Sequence, residues 1–188
     1  ISTMATKIFV DAGHGGTDPG AVGNGVVEQQ VNLNVANELA RLLRAGGYEV
    51  MTYRTTANEN VLANKNADLR NRANMANQWG ADYFISIHTN SSPNTAASGF
   101  ETYVYRLGGT ADALAQSIQS AFVAALGSND RGVHQANFAV LRRTNMPAVL
   151  CELGYLTNPT EALNLNSPAW QRAAAKAIYT GIYNFVKP

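Results

Sequence analysis

The sequence predicts an α/β fold: a mixed, mostly parallel sheet of about six strands flanked by helices on both faces. Two observations carry this. Short apolar runs alternate with segments whose apolar residues recur at helical spacing, the rhythm of strand followed by helix. Glycine and proline punctuate the joins. The 188 residues also suit one core, against a prior of ~150 residues per domain.

Lys7 to Asp11 reads as a short buried strand, and Gly13 to Gly25 as a glycine-rich loop. Val31, Val35, Leu39 and Leu42 then share one helical face, and Gly46-Gly47 stops that helix. Tyr48 to Arg54 alternates like a strand, and Asn58 to Asn66 is a polar loop. Leu69, Ala73, Ala76 and Trp79 form the next stripe, ended by Gly80. Tyr83 to His88 is an apolar strand, Pro93 to Ser98 a loop, and Gly99 to Tyr105 a further strand. Thr110 is expected to cap a helix carrying Leu114, Ile118, Ala121 and Ala125. Val133 to Leu141 is expected to hold one or two short strands, and Pro147 to Glu152 an apolar one. Asn158-Pro159-Thr160-Glu161 supplies a cap, a first-turn proline and an acid. Ser167-Pro168 opens a last helix with Trp170, Ala174, Ala177, Gly181 and Phe185 on one side.

Composition excludes several function classes. Fourteen Lys and Arg against thirteen Asp and Glu leave a net charge of +1, which argues against a phosphate-tracking nucleic-acid binder and a polybasic membrane arm. The longest apolar run, Ala121 to Leu126, is too short to span a bilayer, so no membrane insertion is expected. Charged residues make up 14%, and asparagine is abundant instead. Cys151 is the only cysteine, so no internal disulfide exists.

Open α/β sheets place their sites beyond the carboxyl ends of the strands. Three apolar runs deliver a candidate there: His14 just after the first, His88 at the end of the third, and Glu152 at the end of a later one. Glu28 sits at the far side of the glycine loop, where the first helix begins. Two histidines and a carboxylate are a common zinc set when one position stays open for water. A second carboxylate is then needed to move the water proton. Each residue alone also has a plain structural reading: Glu28 as a first-turn acid favoured by the helix dipole, Glu152 as a paired carboxylate, and each His as a half-buried polar group.

Asp11-Ala12-Gly13-His14-Gly15-Gly16-Thr17-Asp18-Pro19-Gly20-Ala21 resembles the opening motif of the zinc-dependent N-acetylmuramoyl-L-alanine amidases. The likeness continues through Glu28, through Leu69, Arg72, Ala76 and Asn77, through Ser86-Ile87-His88-Thr89-Asn90, and through Pro147 to Asn158. It resembles most the cell-wall hydrolases of spore-forming Gram-positive bacteria. The resemblance implies that His14, Glu28 and His88 are ligands of Zn2+ and that Glu152 is the catalytic carboxylate. It implies hydrolysis of the amide between the lactyl group of N-acetylmuramic acid and L-alanine in peptidoglycan. Glu152 would take a proton from the attacking water and return it to the leaving nitrogen. Residues 7–188 are then expected to be one amidase catalytic domain, monomeric and acting at the cell wall, and residues 1–6 a processing remnant.

Two positions depart from the family pattern, or sit outside it. Cys151 replaces a commonly apolar residue, and on an alternating strand it faces away from Glu152, against a nucleophilic role. His134 is not assigned to zinc and is read first as a plain surface His, with a rim or substrate-contacting role as the alternative. Asn90, Arg72 and Asn137 are candidates for substrate contact, each with an equal structural alternative. The first rival is a degenerate amidase domain that binds wall polymer without cutting it, and the second a zinc carboxypeptidase-like enzyme acting on the peptide itself. A nucleotide-binding glycine loop is disfavoured, because Gly13 to Asp18 lacks the third glycine of a dinucleotide fingerprint and no Lys-Ser/Thr follows.

Overall fold

The computed structural model describes residues 4–188. In chain order the elements are β1 (Lys7–Ala12), β2 (Val22–Gly23), β3 (Val26–Val27), α1 (Glu28–Ala45), β4 (Glu49–Thr52), α2 (Lys65–Trp79) and β5 (Tyr83–Asn90). There follow β6 (Phe100–Val104), α3 (Thr110–Leu126), β7 (Asp130–Gln135), α4 (Ala139–Arg142), β8 (Ala148–Tyr155), α5 (Pro159–Leu165) and α6 (Pro168–Phe185). The main sheet has the order β4-β1-β5-β8-β6-β7, parallel except where β6 meets β8. This is the mixed, six-stranded α/β architecture that the alternating pattern predicts.

The sheet's two faces separate the residues of each strand. Ile8 and Val10 of β1, Ile85 and Ile87 of β5, and Val149 and Cys151 of β8 point into one core with α1, α3 and α6. Phe9, Phe84 and Leu150 point into the other, under Ala76 of α2 and Val140 and Leu141 of α4. Gly181 lets α6 press onto α3: a Cβ there would stand 2.5 Å from Ile118 Cα. No helix among the described residues is long and apolar enough to cross a membrane.

From β1 the chain passes through α1 to β4 on one side, then through α2 to β5 on the other. The carboxyl ends of β1 and β5 therefore flank a point where the strand order reverses, and a crevice opens there.

Residues 1–3 of the expected remnant lie outside the described residues, and the Thr6 carbonyl accepts from the Glu49 N–H at 3.0 Å. Three local expectations change. Gly109, not Thr110, is the cap position of α3, and the Asp112 carboxylate reaches back to the Gly108 N–H instead. In Val133 to Leu141, strand pairing with β6 stops at Gln135, and Val140 and Leu141 reach the core from the helical turn α4. Short apolar runs do not by themselves distinguish strand from helix. Finally, β5 and β8 do not stop at His88 and Glu152: β5 runs to Asn90 through a register shift, and β8 to Tyr155, with Glu152 paired to β6.

Candidate metal centre and catalytic crevice

His14 follows β1 in a left-handed backbone conformation, φ 62°. An L-residue tolerates that only when its surroundings fix it. Two buried arginines do so. Arg72 donates to the carbonyls of Ala12 and His14, both at 2.7 Å. Arg54 donates to the carbonyls of Ala12 at 3.0 Å and of Gly13 and Gln29 at 2.9 Å. Arg72 is balanced by Asp11 and Asp68, each at 2.9 Å. Arg54 is met by carbonyl oxygens, and burial together with the nearby Arg72 charge brings its pKa down to about 10. Because Arg54 also holds Gln29, it ties the His14 loop to the start of α1.

That start is Glu28, the first residue of α1. Its Oε1 accepts the Ala21 N–H and its Oε2 the Thr89 N–H, both at 3.0 Å. Oε2 lies 3.3 Å from His14 Nε2 and 3.3 Å from His88 Nδ1. Burial pushes the Glu28 carboxyl pKa upward, but the two imidazoles outweigh it and hold the group well below the usual carboxylate range. Asp18 accepts from His14 Nδ1 at 2.8 Å and from the Gly20 N–H at 3.0 Å. With Asp18 accepting the hydrogen bond of a protonated Nδ1, the Nε2 lone pair is left free to face a cation. Burial lowers the His14 pKa, yet Glu28 and Asp18 together raise it.

The structure thus gathers His14, Glu28 and His88 so that one donor atom from each lies within 4.8 Å of the others. The two 3.3 Å separations match the edge, ~3.3 Å, of a tetrahedron with the ~2.0–2.1 Å bonds of zinc to nitrogen and oxygen. Two nitrogens and one oxygen are also a donor set that zinc accepts with a position left open.

Glu152 sits in β8 as the cross-strand partner of His88 on β5 and of Glu101 on β6. Its Oε2 is closed off from solvent and has no hydrogen-bond partner. Burial, then the charges of Glu28 and Glu101, push its carboxyl well above the usual range. An orphaned carboxylate oxygen near three groups that could ligate a metal fits a site that takes a cation and a water.

Glu101 is buried and receives Asn90 Nδ2 at 2.7 Å, Tyr103 OH at 2.9 Å and Arg131 Nε at 3.3 Å. Asn90 and Arg72, candidates for substrate contact, are thus engaged with Glu101 and with the His14 loop. Asn137 accepts from Arg142. His134 lies at the rim, half exposed, its Nε2 2.6 Å from the Arg131 carbonyl and 3.7 Å from Glu101. Cys151 is fully buried on the opposite sheet face, and burial pushes its thiol far above the ordinary value, so it is no nucleophile for this crevice.

Sequence reasoning did not single out Asp18, Arg54 or Glu101. An acid four residues after His14 in a tight loop, and an acid inside the apolar run Phe100 to Val104, were the available signals.

The crevice combines a three-donor cluster that could hold a metal ion with a buried, unpartnered carboxylate. Residues 8–184 match the model of the N-acetylmuramoyl-L-alanine amidase family. A sporulation-specific N-acetylmuramoyl-L-alanine amidase of Bacillus subtilis is 37% identical over 179 residues, covering 94% of this chain and 66% of that protein. The amidase LytC of the same organism is 36% identical, covering 98% of this chain and 36% of its own length. The catalytic domain of CwlV, an N-acetylmuramoyl-L-alanine amidase from Bacillus (Paenibacillus) polymyxa var. colistinus, superposes with a TM-score of 0.87 at 36% identity, covering 96% and 97% of the two chains. The chain belongs to the N-acetylmuramoyl-L-alanine amidase family. It spans just under two thirds of the first relative and about a third of the second.

Proposed function

We propose that this chain is a zinc-dependent amidase that cuts the bond between the lactyl group of N-acetylmuramic acid and L-alanine of the stem peptide, at the cell wall where peptidoglycan lies. His14 Nε2, Glu28 Oε2 and His88 Nδ1 would hold the zinc. The convergence of these three atoms beside the unpartnered Glu152 oxygen is the observation that carries the reading. Bound zinc supplies a Lewis acid for the amide carbonyl and makes water acidic enough to ionise near neutral pH.

The protein's own groups do the rest. Asp18 fixes the His14 tautomer, and Arg72 and Arg54 hold the loop that carries it. Glu152 accepts the proton of the attacking water through its free oxygen. The same burial that raises its proton affinity lets it keep that proton until the nitrogen of L-alanine takes it on departure. Family membership supports the choice of amide.

Mass analysis of fragments released from purified peptidoglycan by the zinc-loaded chain tests the proposal. Stem peptides with a free L-alanine amino end, and glycan bearing free lactyl carboxylates, are expected. Fragments cut within the peptide, with L-alanine still on the glycan, would overturn it in favour of a peptidase.

A further inference from the structure

The small cavity above His14 and His88 is walled by Lys65 and Leu69 of α2 and by Val140 of α4. Leu69 also lines a second, open cleft of about 250 Å3 between α2 and α4. Three of that cleft's six lining residues are arginines: Arg70 from α2, Arg142 from α4 and Arg143 just after it. No acidic side chain lines it. The ion pairs that arginines form among the described residues involve Arg41, Arg72 and Arg131, not these three. In a chain of net charge +1, this is a local concentration of uncompensated charge, not a generally basic surface.

The wall that carries two of these arginines is fixed. Val140 and Leu141 are buried in the second core. Asn77 of α2 donates to the Arg143 carbonyl at 2.9 Å and accepts the Asn145 N–H at 2.8 Å. Arg142 Nη1 is held on Asn137 Oδ1 at 2.5 Å. Guanidinium forks on a rigid backbone recognise planar carboxylates by paired hydrogen bonds.

We infer that the α2–α4 cleft is a subsite for a carboxylate of the stem peptide, reached from the metal cavity past Leu69. This rests on the amidase reading above. The glycan half of peptidoglycan beyond the lactyl group is largely uncharged, whereas the peptide half carries free carboxylates, so a cationic cleft at one end of the crevice sets which half lies where.

The test uses the zinc-loaded chain on a soluble muropeptide with free stem carboxylates and on its twin with those carboxylates amidated. The parent chain is expected to show a KM about tenfold lower for the free form, on the scale of a charge-assisted bidentate contact. The R70Q/R142Q/R143Q chain is expected to lose that preference, its KM for the free form rising to the level of its amidated twin while kcat changes less than about twofold. An R70K chain, which keeps the charge but not the fork, should retain part of the preference. Equal KM values for both substrates in the parent, or an equal rise on both in the triple variant, would overturn the subsite and leave the amidase reading intact. Cleavage of neither substrate by the parent would overturn both.

Discussion

Gly13 and His88 compete for one volume: a Cβ on Gly13 would stand 2.3 Å from His88 Cε1 and 2.4 Å from Nε2. The imidazole of β5 lies against bare backbone at the end of β1, with its Nδ1 3.3 Å from Glu28 Oε2. Gly13→Ala would swing the ring out of the cluster. Zinc affinity is expected to fall roughly 10–100-fold, as when a group that orients a ligand is lost. Competition with a chelator measures it; unchanged affinity would mean that His88 does not need this packing.

Arg72 is a buried cation with two carboxylates and two carbonyls on it. Arg72→Met leaves Asp11 and Asp68 without their shared partner. The expected loss is about 3–5 kcal/mol of folding stability, the cost of breaking a buried pair from one side. Urea denaturation reads it, and a loss below ~1 kcal/mol would contradict the clamp's role.

Glu152→Gln keeps the shape of the side chain and removes its proton affinity. Zinc content should match the parent, and kcat should fall about 10²–10⁴-fold. An active Gln variant would remove Glu152 from proton transfer.

The thiol of Cys151 stays protonated in the fold far above its ordinary range, because burial penalises the thiolate. In the unfolded chain it ionises near pH ~8.5. Above that pH the unfolded state binds fewer protons than the folded one, so stability falls as pH rises, by up to ~1.4 kcal/mol per pH unit. Between pH 8 and 9.5 the parent should lose stability faster than Cys151→Ala in paired denaturation curves. Parallel slopes would show a thiol that ionises in place.

The architecture was legible because strand and helix patterns are local signals; the four candidate residues stood out only in part, and their roles came from the family resemblance. His88 and Glu152 close apolar runs, and His14 sits among glycines that have no other evident use. In the parallel register of β5 and β8 His88 and Glu152 become direct neighbours, a pairing set by strand order and register that neither run carries by itself. Arg54 and Glu101 were not legible, because their partners come from other elements: the carbonyls at 12, 13 and 29 for one, and Asn90 and Arg131 for the other. The Val133 to Leu141 segment misled because two apolar residues anchor a turn as well as they anchor a strand.

The central claim is that His14, Glu28 and His88 together hold one zinc ion. Elemental analysis of the purified chain beside Glu28→Ala, after dialysis against a weak chelator, tests it most directly. The account predicts about one zinc per parent chain, from the one three-donor cluster among the described residues, and a near-empty variant. Full zinc occupancy in Glu28→Ala, or a parent that takes up no zinc when it is supplied in excess, would contradict it.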